Sequence, residues 1–187
     1  MNSQIIQPPL VAWANGAFSH APVIRKTTRI QDLTAVFADG QAWRSCDPQL
    51  PVYTVEMLET PAGEGELWTG VTHLNPGKVG NEFFMTRGHF HARREQGEVY
   101  FGLRGQGLLL LQDEHGKARL ETVCAGSVHI IPGFTAHRLI NTGSEILSAL
   151  AVWPTIAGHD YAALQGGFAL RVQEENQQIC VCEVQNG

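Results

Sequence analysis

The sequence predicts an all-β fold, an antiparallel barrel or jelly roll with a short helix and an arm at its N-terminal end, on three observations. From about Val52 onward the chain is a succession of short apolar or alternating runs. Turns rich in Gly, Pro and Asn separate them. Only one segment carries helical periodicity, so the helix-by-strand alternation of a parallel α/β sheet is missing.

Taken in order, the first twenty residues read as an arm or edge strands, with Pro8, Pro9 and Pro22 punctuating short apolar pieces. The segment TTRIQDLTAVFADG (27–40) spaces Ile30, Leu33, Val36 and Phe37 as one face of a helix, with a Thr to cap its start and Asp39-Gly40 to end it. Strands follow as VYTVEML, ELWTGVTHL, EFFMT, EVYFGL, GLLLLQ, ARLETV, SVHII, HRLI, ILSALAVW, ALRVQ and ICVCEV, and NPGKVG, DEHGK and EENQQ supply turns. The expected organisation is one domain, with the arm and helix over 1–45 packed on a barrel over 46–187.

Composition narrows the function classes. An apolar content of 43% in 187 residues supports one ordinary core. The net charge is −5 and the 13 basic residues form no run, so neither nucleic acid nor an anionic membrane is an expected partner, and a small molecule is. No apolar run approaches the roughly 18 residues of a span, and MNSQIIQPPLVAWANG lacks the basic start and apolar region of a signal, so a cytoplasmic location is expected. Cys46, Cys124, Cys180 and Cys182 form no C-x-x-C pair and are read as reduced thiols.

The chemistry concentrates in HFHARREQGEVYFGLRGQG (89–107). His89 and His91, two apart on a strand, point to the same face. Glu98 opens the alternating run EVYFGL, in which Glu98 and Tyr100 share one face and Val99, Phe101 and Leu103 the other. His137 follows the Pro132-Gly133 turn at the start of another strand. Three imidazoles and a carboxylate suit one borderline divalent ion, iron(II) first, with manganese, nickel or zinc also fitting. His20, His73, His115 and His129 lack such company and read as ordinary polar residues, His115 in a solvent-facing turn.

The order His89-x-His91, Glu98, a following glycine, then Gly126, Pro132, His137 and Asn141 resembles the two-part signature of metal-binding cupins. The six residues 92–97 between His91 and Glu98, together with PGKVGNEFFMTRGHFH, EVYFGLRGQGLLLLQ, HRLINTG and AGHDY, resemble the cupin-type, or archaeal-type, glucose-6-phosphate isomerases over roughly residues 50–175. That resemblance implies a metal-dependent aldose–ketose isomerase acting on glucose 6-phosphate and fructose 6-phosphate through a cis-enediol. It makes Glu98 the base and gives His159 a part in ring opening or hydroxyl binding. Phosphate would be held by Thr72, Thr86 and the Gly88 backbone, with Tyr53, Tyr100 and Tyr161 around the substrate. Trp153 stands where these isomerases typically have Tyr, and Arg87 where they have Lys.

Isomerisation of a related sugar phosphate stays open beside this expectation, as do a cupin oxygenase using the same ligands and a sugar-binding cupin without chemistry. A homodimer through the Val99, Phe101 and Leu103 face is also expected.

Overall fold

A computed structural model describes residues 5–164 and 166–184. Its elements are β1 (Leu10–Val11), β2 (Phe18–Ser19), β3 (Val23–Arg29), α1 (Gly40–Ser45), β4 (Pro51–Leu58), β5 (Leu67–Leu74), β6 (Lys78–Val79), β7 (Glu82–Phe83), β8 (Glu98–Arg104), β9 (Gln106–Asp113), β10 (Ala118–Cys124), β11 (Val128–Ile131), β12 (Thr135–Ile140), β13 (Leu147–Pro154), β14 (Leu170–Glu175) and β15 (Gln178–Glu183). Single 3-10 turns occupy Ile30–Leu33 and Ala162–Leu164.

The strands form the antiparallel jelly roll that the sequence predicts. One sheet has the order β11-β8-β13-β5-β4-β3; β10-β9-β12 and β15-β14-β7-β6 are smaller sheets, and β1-β2 forms a hairpin in the N-terminal arm. Val52, Leu74, Leu147 and Ala149 of the large sheet share one core with Leu109, Leu111, Leu139 and Ile140 of the β10-β9-β12 sheet, all of them buried. Each such Val, Leu or Ile side chain contributes roughly 1.5–3 kcal/mol on leaving water. The run GLLLLQ is buried at nearly every position because β9 is covered on both faces. Gly107 is required there: a Cβ would sit 2.3 Å from the Ile140 carbonyl and 2.6 Å from Leu147.

The helix expected over 27–40 is not where the chain puts one. Thr27–Arg29 complete β3, Ile30–Leu33 make one 3-10 turn, and Ala35 takes a left-handed φ of 62°. Asp39 begins the helix rather than ending it, because its carboxylate accepts from the amides of Gln41 and Ala42 as an N-cap of α1. The apolar spacing registered burial, since Ile30, Leu33, Val36 and Phe37 are all in the core. β3 itself escaped the sequence reading; VIRKTTR pairs with β4 from Val23↔Leu58 to Thr28↔Tyr53. NPGKVG is a corner that includes β6, whereas DEHGK and EENQQ close the β9–β10 and β14–β15 hairpins. All four cysteines are free, and His115 is exposed. Among the described residues no helix is long and apolar enough to cross a membrane.

Candidate active site

Two short pieces of backbone pairing bring the ligands together. The chain between β7 and β8 is bridged to β12 at Met85↔Ile140 and His89↔His137, and to the β13–β14 connection at Phe90↔Asp160. His89 and His137 exchange backbone hydrogen bonds, at 3.3 and 3.1 Å, so their imidazoles stand side by side with ring centres 4.5 Å apart. His91 lies beyond the bridges, and the 92–97 loop returns to it: the Gln96 carbonyl lies 2.8 Å from His91 Nδ1. That contact fixes Nδ1 as the protonated nitrogen and turns Nε2 toward Glu98, 3.2 Å away. The six-residue spacing thus builds the loop that orients a ligand. Gly133 is part of the fit, since a Cβ there would come 2.5 Å from the Glu95 carbonyl.

The ligand atoms of His89, His91, Glu98 and His137 all lie within 4.8 Å of one another. His89 Nε2 and both nitrogens of His137 are buried with no hydrogen-bond partner, and His137 Nε2 sits 3.0 Å from Glu98 Oε2 outside hydrogen-bonding geometry. Buried imidazole nitrogens left unpaired around a carboxylate fit one divalent ion, which would take one nitrogen from each ring, Nε2 of His89 and Nε2 of His137 among them. Burial, with His137, His159 and His91 nearby, holds His89 well below its ordinary pKa, so its lone pair stays free. Burial pushes the Glu98 carboxyl up, but His137 and His91 outweigh it and hold the group below its ordinary value.

These groups line one end of a cavity of about 250 Å³, except His91, which stands behind it. Tyr53, Thr72, Thr86, Gly88, Tyr100, His159 and Tyr161 all line the same cavity. The ladders order its wall in rows: Tyr100, Ala151, Gly70, Met57 and Ile24 form one, and Thr72, Val55 and Lys26 lie in the next. His159 packs on His89 with ring centres 4.3 Å apart and stacks on Tyr161 at 5.8 Å. Burial lowers the His159 pKa, which keeps the ring neutral, and raises that of Tyr100, helped by Glu98. Gly88 has φ 74°, and a Cβ would lie 2.7 Å from Phe168, so the turn accepts only glycine without strain. Thr86 Oγ accepts from the Leu139 amide, at 3.0 Å, which pins its hydroxyl. Arg87 stacks over Tyr161 at 4.7 Å.

Sequence reading missed Lys26 and Thr28, which enter the cavity from β3. The β-branched alternation of VIRKTTR after Pro22 was the signal that would have found them. Trp153, T-shaped against Trp68 at 6.0 Å, lines the cavity with its indole N–H buried and unpaired. His73 and His129 are ordinary polar residues, the first 2.9 Å from Ser148 Oγ and the second 2.7 Å from Glu121.

Comparison with known proteins bears on the same region. A family profile described as Glucose-6-phosphate isomerase (GPI) matches residues 27–186. The chain is 42% identical over 162 residues to a protein named glucose-6-phosphate isomerase from Thermococcus litoralis, covering 84% of each chain. It is 43% identical over 160 residues to one of the same name from Pyrococcus horikoshii, covering 83% of this chain and 84% of that one. Among solved structures, an oxalate decarboxylase variant from Bacillus subtilis aligns with 58% of this chain and 27% of its own, at 18% identity and a TM-score of 0.45. With the profile matching residues 27–186 and relatives above 40% identical matched over 83–84% of this chain, the chain belongs to the glucose-6-phosphate isomerase family, in its cupin-type branch.

Proposed function

We propose that this protein interconverts glucose 6-phosphate and fructose 6-phosphate, with Glu98 moving the proton between C1 and C2. The single observation that carries the reading is the polarity of the cavity. Its lining combines Glu98, His89 and His137 with hydroxyls, a glycine turn next to His89, and the cations Lys26 and Arg87. The Glu98 and Thr72 rows are four strand residues apart, about 13 Å along the sheet, the scale of an extended six-carbon sugar phosphate.

His89, His91, Glu98 and His137 would hold the divalent ion, iron(II) being our first choice and manganese, nickel or zinc compatible with the same donors. When bound, it would supply positive charge against the oxygens of the developing enediolate. Thr72, Thr86 and the Gly88 amide bind the phosphate, and Lys26 and Arg87 add charge there. His159, neutral through burial, moves the ring-opening proton. Glu98, held as carboxylate by its histidine neighbours, takes the proton from C2 of the open aldose to leave a cis-enediolate charged at O1, the O2 proton passes to O1, and Glu98 returns its proton to C1 to give the ketose. Tyr53, Tyr100 and Tyr161 close the cavity around the sugar.

We also propose a homodimer. Val99 and Phe101 share the outer face of the large sheet with Val128 and Ile130, their ladder partners, which are 60% and 62% exposed. Leu103 is already buried: the arm crosses it at Gly16, and Trp13 lies on Phe101. The proposed contact is therefore the Val99 side of that face.

The test of the reading is a coupled assay in which purified, metal-loaded protein receives fructose 6-phosphate and the appearance of glucose 6-phosphate is followed. Failure to form it, with the metal verified in place, would overturn the substrate assignment.

A further inference from the structure

A second cavity, of about 180 Å³, lies behind the substrate cavity and shares Arg87, Gly88 and Tyr161 with it as a common wall. Arg138 and Arg171 also line it, and no Asp or Glu does. The two differ in how their charge is met. Arg171 pairs with Glu82 at 2.7 Å, and that carboxylate's other oxygen accepts from the Ala38 amide. Arg138 is 8% exposed and forms no ion pair with any described carboxylate; Glu82, already paired with Arg171, acts on it only from a distance. It donates only to neutral acceptors, Met85 Sδ at 3.0 Å and the Arg87 carbonyl at 2.5 Å; it lies over the Phe168 ring at 4.4 Å, and its Nε has no partner. Arg87, on the shared wall, touches only the face of Tyr161 among charged or aromatic groups described.

A guanidinium taken out of water without a counter-charge is among the costlier things a fold can hold. Such an arrangement is stabilised by an anion from outside the chain. Guanidinium groups match the planar or tetrahedral oxygens of carboxylate and phosphate, and the cavity is of a size for one such group.

We propose that this second cavity is an oxyanion site, binding a phosphate or carboxylate group against Arg138 with Arg87 and Arg171 as flanking cations. It goes beyond the isomerase reading and shares with it the wall of Arg87, Gly88 and Tyr161. The group comes either from a separate small anion or from the phosphoryl end of a hexose phosphate in the neighbouring cavity.

The experiment is a calorimetric titration of metal-loaded protein with inorganic phosphate, alone and at saturating hexose phosphate, for the wild type, Arg138→Met, Thr34→Glu and Thr72→Val. Thr34 is an exposed residue on the lining, so glutamate there supplies a competing carboxylate without disturbing the core. A phosphate-binding event that survives hexose phosphate, is about tenfold or more weaker in Arg138→Met and Thr34→Glu, and is unchanged in Thr72→Val supports a separate anion. An event weakened by the same two variants but abolished by hexose phosphate supports the site with the substrate's own phosphoryl group as occupant. Wild-type phosphate binding in Thr34→Glu and in folded Arg138→Met overturns the proposal, and wild-type binding in Thr34→Glu alone does so if Arg138→Met does not fold. A Thr72→Val protein with an unaltered KM for fructose 6-phosphate would instead count against the phosphate-binding role of Thr72, leaving the second cavity's result to stand by itself.

Discussion

Glu98 Oε2 lies 3.0 Å from His137 Nε2, although β8 and β12 share no ladder and belong to different sheets. The contact is made across the barrel interior, where each strand delivers one side chain and a second pair of donors arrives from the bridged segment at His89 and His91. A site assembled this way responds to its parts separately.

Removing the ion would leave one nitrogen of each of His89, His91 and His137, and the Glu98 carboxylate, without it. Chelation abolishes isomerase activity and a divalent metal restores it, and His137→Ala lowers metal content severely at equal protein, as read by elemental analysis. Undiminished activity of verified metal-free protein would refute the site.

Glu98→Gln separates the base from the ligand. Turnover falls about a hundred- to ten-thousandfold, the usual range for general acid–base catalysis, while metal occupancy drops less than in His137→Ala. In heavy water the product acquires deuterium at C1 or C2, because Glu98 exchanges its proton while holding it. Near-normal turnover of a metal-loaded Glu98→Gln protein would remove Glu98 from that role.

Gly88→Ala places a methyl group 2.7 Å from Phe168 and 2.9 Å from Arg138 Nε on a left-handed backbone. The strain is about 1–3 kcal/mol, and it is read as a lower denaturation midpoint together with a raised KM for the sugar phosphate. A variant with wild-type KM and stability would show that this turn neither needs glycine nor meets the phosphate.

Ile130→Glu puts a charge in the middle of the proposed dimer contact, a residue that is 62% exposed in the single chain. Sedimentation should show the wild type at twice the 20.5 kDa chain mass and the variant at that mass itself. A wild-type monomer at micromolar concentration would end the dimer proposal.

The sequence by itself determined the strands from β4 onward except β6, which lies inside a segment read as a turn, since two-residue alternation and Gly, Pro and Asn turns are local properties of the chain. It also determined which residues are chemically able to bind a metal, since Glu98 and the three imidazoles stand out by type and spacing. The helix was misplaced because Ile30, Leu33, Val36 and Phe37 carry a spacing that records burial, and burial in a 3-10 turn and loop produces the same pattern as burial on a helix. The tertiary structure alone decided that Lys26 and Thr28 enter the cavity, because only the pairing of β3 with β4 turns their side chains inward. It decided, too, that Gln96 orients His91 and that Arg138 lies without an ion-pair partner beside Gly88. A partner's position, and the lack of one, are set by segments far away in the chain, and no local pattern encodes them.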